Sequence, residues 1–222
     1  MDQDAACRGP AVTANFHDYW SDVFVAYGTF VLGALSPGPA LLSTMGAAMS
    51  SGRKTGVMVA LGVVCGSFTW GLIAAVGLSY ILSTYSNALS VVRIGGGGYL
   101  LFLAFKALRS ASSAKLLTAN SWGVAASPWS SFVRGYGIHM TNPKGMFAWI
   151  AVISMGLKPG APNWVAPVIL AGAMLFALIY YVAVALLFST ARMVSTYGKA
   201  RRWIDGLLGV FYIFAAWKLV TL

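Results

Sequence analysis

The sequence predicts an all-α polytopic membrane protein whose six transmembrane helices form two inverted three-helix repeats, with interruptions in the first and fourth helices. Of its 222 residues, 59% are hydrophobic and only 9% are charged, whereas a soluble domain has about 25% charged residues. Each of three charge-free intervals, between residues 22 and 53, 54 and 93, and 158 and 192, can hold at least one membrane helix of roughly 20 apolar residues. Prolines interrupt two of the apolar segments at similar places.

Six apolar segments follow a short polar leader, residues 1–22. The start of this leader lacks the basic and short apolar regions of a cleavable signal peptide, and we expect it to be poorly ordered. The segments cover residues 23–49, 57–82, 88–108, 132–157, 164–190 and 203–220. Residues 110–131 are predicted to form the longest loop, with Trp122 and Trp129 near the membrane interface. The other connections are short, so neighbouring helices should be antiparallel within a single domain, residues 23–222.

Basic residues predict the orientation in the membrane. Most of them follow the first, third and fifth segments: Arg53, Lys54, Arg109, Lys115, Arg134, Arg192, Lys199, Arg201 and Arg202. Cytoplasmic loops are enriched in Lys and Arg, so this distribution predicts cytoplasmic placement of these loops and both termini outside. The net charge of +10 is therefore explained by topology. We expect the lipid bilayer, and no nucleic acid, as a partner.

The two halves of the chain resemble each other. The first segment contains LSPGP at residues 35–39, and the fourth contains MTNPKG at residues 140–145. The third segment ends in FLAFKALRS and the sixth in IFAAWKLVT, so Lys106 corresponds to Lys218. This pattern predicts repeats at residues 23–109 and 132–222, inverted because three crossings reverse the second. Inverted repeats are typical of secondary transporters, whose sites lie near the midplane at interrupted helices. Chance similarity between apolar segments is the alternative.

The prolines fall deep in the predicted membrane segments. Pro37 and Pro39 lie about 20 Å along the first segment, and Pro143 lies about 16 Å along the fourth, in the middle third of a hydrocarbon core about 30 Å thick. Proline removes a backbone donor, and in the sequence Ser36-Pro37-Gly38-Pro39 the glycine adds flexibility. Freed backbone groups at this depth need protein partners or a wet cavity. We therefore predict that both interruptions line a cavity, with a plain proline kink as the alternative.

Lys144 is the sharpest candidate for a site residue. A lysine at the bilayer centre costs about 2.5–3.5 kcal/mol on insertion scales. Its ammonium either extends along its stem to the cytoplasmic surface or faces a cavity and attracts a carboxylate. Asn142 supplies an amide donor and acceptor beside it. His139 lies on a similar helix face and either relays protons or is a structural histidine that bonds a neighbouring carbonyl.

Two other features have simpler interpretations. Asp205 opens the last apolar segment, and we interpret it as a charge at a helix N-terminus that pairs with Arg201 or Arg202. The GxxxG pairs, Gly52 with Gly56 and Gly62 with Gly66, predict close helix packing.

The motifs taken together resemble the LysE/RhtB family of amino-acid exporters. The resemblance runs from about residue 27 to the C-terminus and is carried by LSPGPALL, SSGRKTGVMVALGVVCGSF, RIGGGGYLLFLAFKALRS, FVRGYGIHMTNPKGMFAW and RRWIDGLLGVFYIFAAWKLV. It implies a six-helix inverted-repeat exporter of amino acids or close derivatives in a bacterial inner membrane, driven by the proton gradient. The implied site residues are Pro37 to Pro39 and Asn142 to Lys144. Many members have Asn or Asp after PGP, where this sequence has Ala40.

These observations predict a secondary-active efflux transporter with no enzymatic activity and no cofactor, and they leave a homo-oligomer possible. The predicted site consists of Ser36, Pro37, Gly38, Pro39, His139, Asn142, Pro143 and Lys144. The alternative is a membrane redox protein or metal-ion exporter of similar helix plan. A thiol shuttle needs two cysteines within the membrane, and of Cys7 and Cys65 only the second lies in an apolar segment.

Overall fold

The computed structural model describes residues 19–84, 88–112, 127–156 and 161–221. The regular structure within these ranges consists of helices α1 (Trp20–Leu35), α2 (Pro39–Thr84), α3 (Ala88–Ser112), α4 (Pro128–Met140), α5 (Pro143–Gly156), α6 (Val165–Leu187) and α7 (Ala191–Thr221). The predicted all-α class is confirmed for this part of the chain. The predicted leader up to residue 18, with Cys7, and the loop residues 113–126, with Trp122, lie outside the described residues.

The helices correspond to the six apolar segments, with differences at their ends. The first segment is divided between α1 and α2, and the fourth between α4 and α5. The predicted loop 110–131 is too long at both ends, because α3 continues to Ser112 and α4 begins at Pro128. Ser127 and Ser130 form a capping box at that start, and Pro128 occupies the first turn, where its missing N–H costs nothing. Likewise α7 begins at Ala191 instead of 203, because polar and basic residues continue the helix beyond its apolar part.

Helix α2 contains a sharp reversal at Gly52. Its φ of 85° and ψ of 175° belong to a region that glycine adopts readily and other residues rarely do. A Cβ built on Gly56 would overlap Ala48, although eight residues span about 12 Å along a straight helix. The chain therefore folds back at Gly52, and α2 has two arms, residues 39–51 and 53–84. The GxxxG prediction was wrong for Gly52, which makes the turn, and right for Gly56, which packs closely.

Glycines also bring the helices together elsewhere. Gly62 lies against the backbone of Phe132 and Tyr136, and Gly66 lies against His139. The second arm of α2 therefore packs tightly on α4, as the second GxxxG pair predicted. Helices α3 and α7 also pack along each other. Gly97 near the start of α3 meets Val220, while Gly209 meets Leu108, so these two helices are antiparallel.

The surface and the interior have the distribution expected in a bilayer. By length and composition, residues 39–77, which include both arms of α2, and the whole of α6 are apolar enough to cross a membrane, and α1 is a shorter apolar helix. Large apolar side chains such as Phe105, Ile179 and Leu207 are more than half exposed, while Thr44, Ser154 and Asp205 are completely buried. An apolar exterior around a partly polar interior is typical of a protein whose solvent is lipid.

Two loops predicted to share one side of the membrane do contact each other. The Nε of Arg53, in the turn after the first segment, donates at 2.9 Å to the hydroxyl of Ser189, which follows the end of α6. At the other end of these segments, the rings of Tyr19 and Trp20 lie 6.4 and 5.8 Å from the ring of Trp164. The contacts agree with the predicted pairing of loops.

Candidate functional site

The first helix break lies at residues 36–38. Helix α1 ends at Leu35, and Ser36 is extended with φ −66° and ψ 127°. The Ser36 amide still donates to Leu32 at 3.1 Å, and the Gly38 carbonyl accepts from Leu42 at 2.9 Å. Pro37 and Pro39 have no N–H to offer. The chain therefore leaves one helix and enters the next, which is more than a proline kink, and the Ser36 carbonyl has no helical donor.

The second break, at residues 141–142, is shorter and capped by side chains. Helix α4 ends at Met140, with both the amide and the hydroxyl of Thr141 donating to the Gly137 carbonyl at 2.9 Å. Asn142 precedes α5, and its side-chain oxygen accepts from the Lys144 amide at 3.1 Å. Pro143 takes the first helical position, where proline is favoured. The NPK motif is therefore a helix N-cap that starts α5 and fixes the position of Lys144.

Lys144 joins the two breaks. Its Nζ donates to the Ser36 carbonyl at 2.7 Å, so the acceptor freed by the first break is bound by the cation at the second. The lack of a side chain at Gly38 makes room for this approach, since a Cβ there would lie 3.3 Å from the Nζ. The alternative in which Lys144 extends to the cytoplasmic surface is wrong.

Two cavities meet at this contact. A small cavity of about 50 Å³ reaches toward Trp149, and a large one of about 770 Å³ reaches toward Lys106. Ser36, Gly38, Asn142 and Lys144 line both. Of the other predicted site residues, Pro37, Pro39 and Pro143 line the large cavity, and His139 lines the small one. All eight predicted residues thus line one or both of these two adjacent cavities.

The surroundings of His139 bear on one of its two interpretations, that of a structural histidine. It is 6% exposed, and neither ring nitrogen has a hydrogen-bond partner among the described residues. The ring lies between Gly66 and Gly145, where a Cβ would crowd it. The interpretation as a structural histidine that bonds a carbonyl is therefore wrong, and the ring faces the small cavity with unused polar atoms.

Asp205 is the main residue that the sequence interpretation misplaced. It lies in the middle of α7, is completely buried, and accepts a 2.6 Å hydrogen bond from the Ser110 hydroxyl. It is not at a helix N-terminus, because α7 begins well before it. It lines the large cavity together with Lys106, Arg134 and Lys144. The signal in the sequence was its position inside the sixth apolar segment. An acid within a membrane segment is energetically costly, so such acids are rare and usually have a function.

Within the described ranges, no three His, Cys, Asp or Glu side chains lie close enough together to hold a metal ion. Cys65 is a free, exposed thiol on the second arm of α2. What the region does offer chemically is the half-buried ammonium of Lys144, a freed main-chain acceptor and one buried carboxylate around the large cavity. Such a set can bind a small molecule that carries both charges.

The chain is similar to several bacterial membrane proteins. It is 29% identical over 204 residues to an uncharacterized membrane protein of Escherichia coli K12, YahN, covering 90% of this chain and 91% of the relative. It is 30% identical over 186 residues to the threonine efflux protein of Salmonella typhi, covering 82% and 89%. It is 28% identical over 204 residues to the leucine efflux protein of Enterobacter sp. strain 638, covering 88% and 95%.

No solved structure matches the chain significantly. The family of LysE type translocators matches residues 31–222, which include both helix breaks, Asp205 and every residue that lines the two cavities except Phe30. The resemblance seen in the PGP and NPK motifs is thereby confirmed, and the chain belongs to the LysE type translocator family.

Proposed function

We propose that this protein exports amino acids or close derivatives across the bacterial inner membrane by secondary-active transport. The observation that carries the proposal is the Lys144 ammonium, held at the contact of two helix breaks where two cavities meet. Relatives that the chain covers almost completely are named threonine and leucine efflux proteins. An amino acid has the carboxylate that such an ammonium attracts.

Both charged ends of an amino acid find complementary groups in the large cavity. The substrate carboxylate replaces the Ser36 carbonyl as the partner of Lys144, a gain because the acceptor is then charged. The substrate ammonium binds the main-chain carbonyls that the breaks release, with Asp205 as the acid on the same cavity wall. A volume of about 770 Å³ lies within the usual range of ligand pockets, about 300–1,000 Å³.

The packing of the two halves supports a six-helix inverted repeat. The first segment runs parallel to the fifth. Tyr27 donates to the Val168 carbonyl at 2.5 Å, and further along both segments Met45 packs near Phe188. If the halves are repeats, the first segment corresponds to the fourth and the fifth to the second, so the second and fourth segments should also run parallel. They do, since Gly62 meets Tyr136 and, further along, Gly71 meets Trp149.

The third pair, α3 with α7, is antiparallel, as two equivalent helices of inverted repeats should be. We infer repeats at residues 23–109 and 132–222 that rock against each other and open the site to each side in turn. Export is coupled to proton entry, with His139 and Lys144 as the candidate proton carriers. Both termini lie outside the cytoplasm.

The proposal is tested by amino-acid uptake into everted membrane vesicles that contain this protein, with and without a pH gradient. We expect accumulation of at least one of the twenty amino acids, driven by the gradient. Vesicles without the protein are the control. Failure to accumulate any amino acid under either condition would contradict the proposal.

A variant of the buried acid extends the same assay. Asp205→Asn keeps the shape of the side chain and the bond to Ser110 while it removes the charge, so the apparent KM for the transported amino acid should rise. An unchanged KM would show that the substrate ammonium binds elsewhere. The alternative of a redox protein or metal-ion exporter gains no support from the described residues, where Cys65 is isolated and exposed.

A further inference from the structure

We propose that the small cavity binds the side chain of the transported amino acid, and that His139 makes this subsite select small side chains with a hydrogen-bonding group. The inference rests on the proposed function and specifies the substrate class for the same site. The cavity opens beside Lys144, whose ammonium would hold the substrate carboxylate, so the substrate's side chain is directed inward.

The polarity of the subsite comes from two buried residues. Neither nitrogen of His139 has a partner among the described residues, whereas nearly all buried polar atoms in native proteins have one. A neutral imidazole carries one donor and one acceptor. Ser67, 3% exposed, accepts from the Trp149 indole at 3.0 Å, and its hydroxyl proton is still available to donate. A ligand hydroxyl or carboxamide, which both donates and accepts, fits these two residues.

The size of the subsite is fixed by aromatic walls. Phe30, Trp149 and Tyr181 line it and are all at least nine-tenths buried, and the Phe30 and Trp149 rings lie 4.9 Å apart. A buried water needs about 10–15 Å³ of such volume, so the cavity of about 50 Å³ holds roughly three to five non-hydrogen atoms. The side chains of arginine and of the aromatic amino acids, with six or more non-hydrogen atoms, exceed this limit.

Threonine and valine provide the most direct test, because they have the same shape and differ by one hydroxyl. In everted vesicles, we expect wild-type kcat/KM to favour threonine over valine by about tenfold or more, since valine leaves the buried polar groups unpaired. Arginine and phenylalanine, whose side chains exceed the size limit, should be transported least.

Variants of His139 then identify the residue responsible. His139→Leu should reduce the threonine-to-valine ratio to about one, and His139→Gln, which keeps a donor and an acceptor, should restore part of it. The matched control is Trp70→Phe, because the Trp70 indole nitrogen is also buried and unpartnered among the described residues but lines neither cavity. Trp70→Phe should leave the ratio unchanged. The ratio separates selection from general damage, which lowers transport of both amino acids.

The outcomes also separate this inference from the proposed function. Equal transport of threonine and valine by the wild type overturns the subsite while amino-acid export stands, and so does efficient transport of arginine. An unchanged ratio in His139→Leu overturns the role of His139. If His139→Leu does not insert into the membrane, Ser67→Ala serves instead and should lower the ratio by a smaller factor. If the wild type transports no amino acid, the proposed function itself fails.

Discussion

The two helix breaks differ in how the backbone groups that they free find hydrogen-bond partners. At residues 36–38, three residues lie outside a helix, and the Ser36 carbonyl accepts its hydrogen bond from a residue distant in sequence. At residues 141–142, two residues lie outside a helix, and the Asn142 side chain caps the start of α5. The first break therefore lacks a donor, and the second supplies one through the Nζ of Lys144.

This difference shows why two interruptions in one membrane protein support each other. A freed carbonyl at membrane depth is costly without a partner, and a lysine there is costly as well. The 2.7 Å bond between them satisfies both, and under the function we propose a substrate carboxylate would compete for the same ammonium. In that proposal, the ligand takes the place of the Ser36 carbonyl as the hydrogen-bond partner of Lys144.

Among the variants that test the two breaks, removal of the cation at the second break should reduce transport most. Lys144→Ala deletes the ammonium that we assign to the substrate carboxylate and leaves the Ser36 carbonyl unpaired. Transport of the amino acid into everted vesicles should fall by about 100-fold. Lys54→Ala is the control, because Lys54 is exposed and lines neither cavity. Unchanged transport by an inserted Lys144→Ala protein would remove Lys144 from the mechanism.

Filling the space between the breaks should have an intermediate effect. A methyl group at Gly38 would lie 3.3 Å from the Lys144 Nζ and 3.4 Å from its Cδ, so Gly38→Ala should displace the ammonium and reduce transport by about tenfold. Gly28→Ala is a matched control on α1, where a Cβ meets nothing within 4 Å. Equal transport by the two variants would mean that the Lys144 position tolerates movement.

Removing the cap of the second break tests stability more than transport. Asn142→Ala loses the acceptor for the Lys144 amide, which costs about 1 kcal/mol for a typical N-cap. For a protein of this size we expect the Tm in detergent to fall by about 2–4 °C. Asn142→Ser keeps a capping oxygen and should retain most of the wild-type Tm. A Tm of Asn142→Ala equal to that of the wild type would argue against the cap.

The smallest effect should come from the side chain at the first break. Ser36 bonds Lys144 through its main-chain carbonyl, which Ser36→Ala keeps, so transport should stay within about twofold of the wild type. Initial rates in the same vesicles provide the measurement. A tenfold loss would instead show that the Ser36 hydroxyl binds the substrate, and the two breaks would then be more alike than we infer.

The sequence by itself determined the features that depend on composition and on local chemistry. Charge-free intervals of sufficient length predicted the apolar helices, and proline with its neighbours predicted where the first and fourth segments break. Prolines act through a missing donor and a fixed φ, which are local effects, so these positions could be read from the chain. Helix ends were less accurate, because polar residues such as those at 191–202 continue a helix without adding to its apolar pattern.

Only the tertiary structure decided which groups meet. Lys144 and Ser36 are separated by 108 residues, and Asp205 and Ser110 by 95, so no local pattern specifies either contact. The reversal at Gly52 was equally hidden, because glycine fits a turn as well as a close helix contact. The orientation of a long side chain and the satisfaction of a buried polar atom depend on helices that are distant in sequence. For that reason the sequence could propose eight candidate residues, while the two cavities that they border, and the buried acid that lines one of them, required the fold.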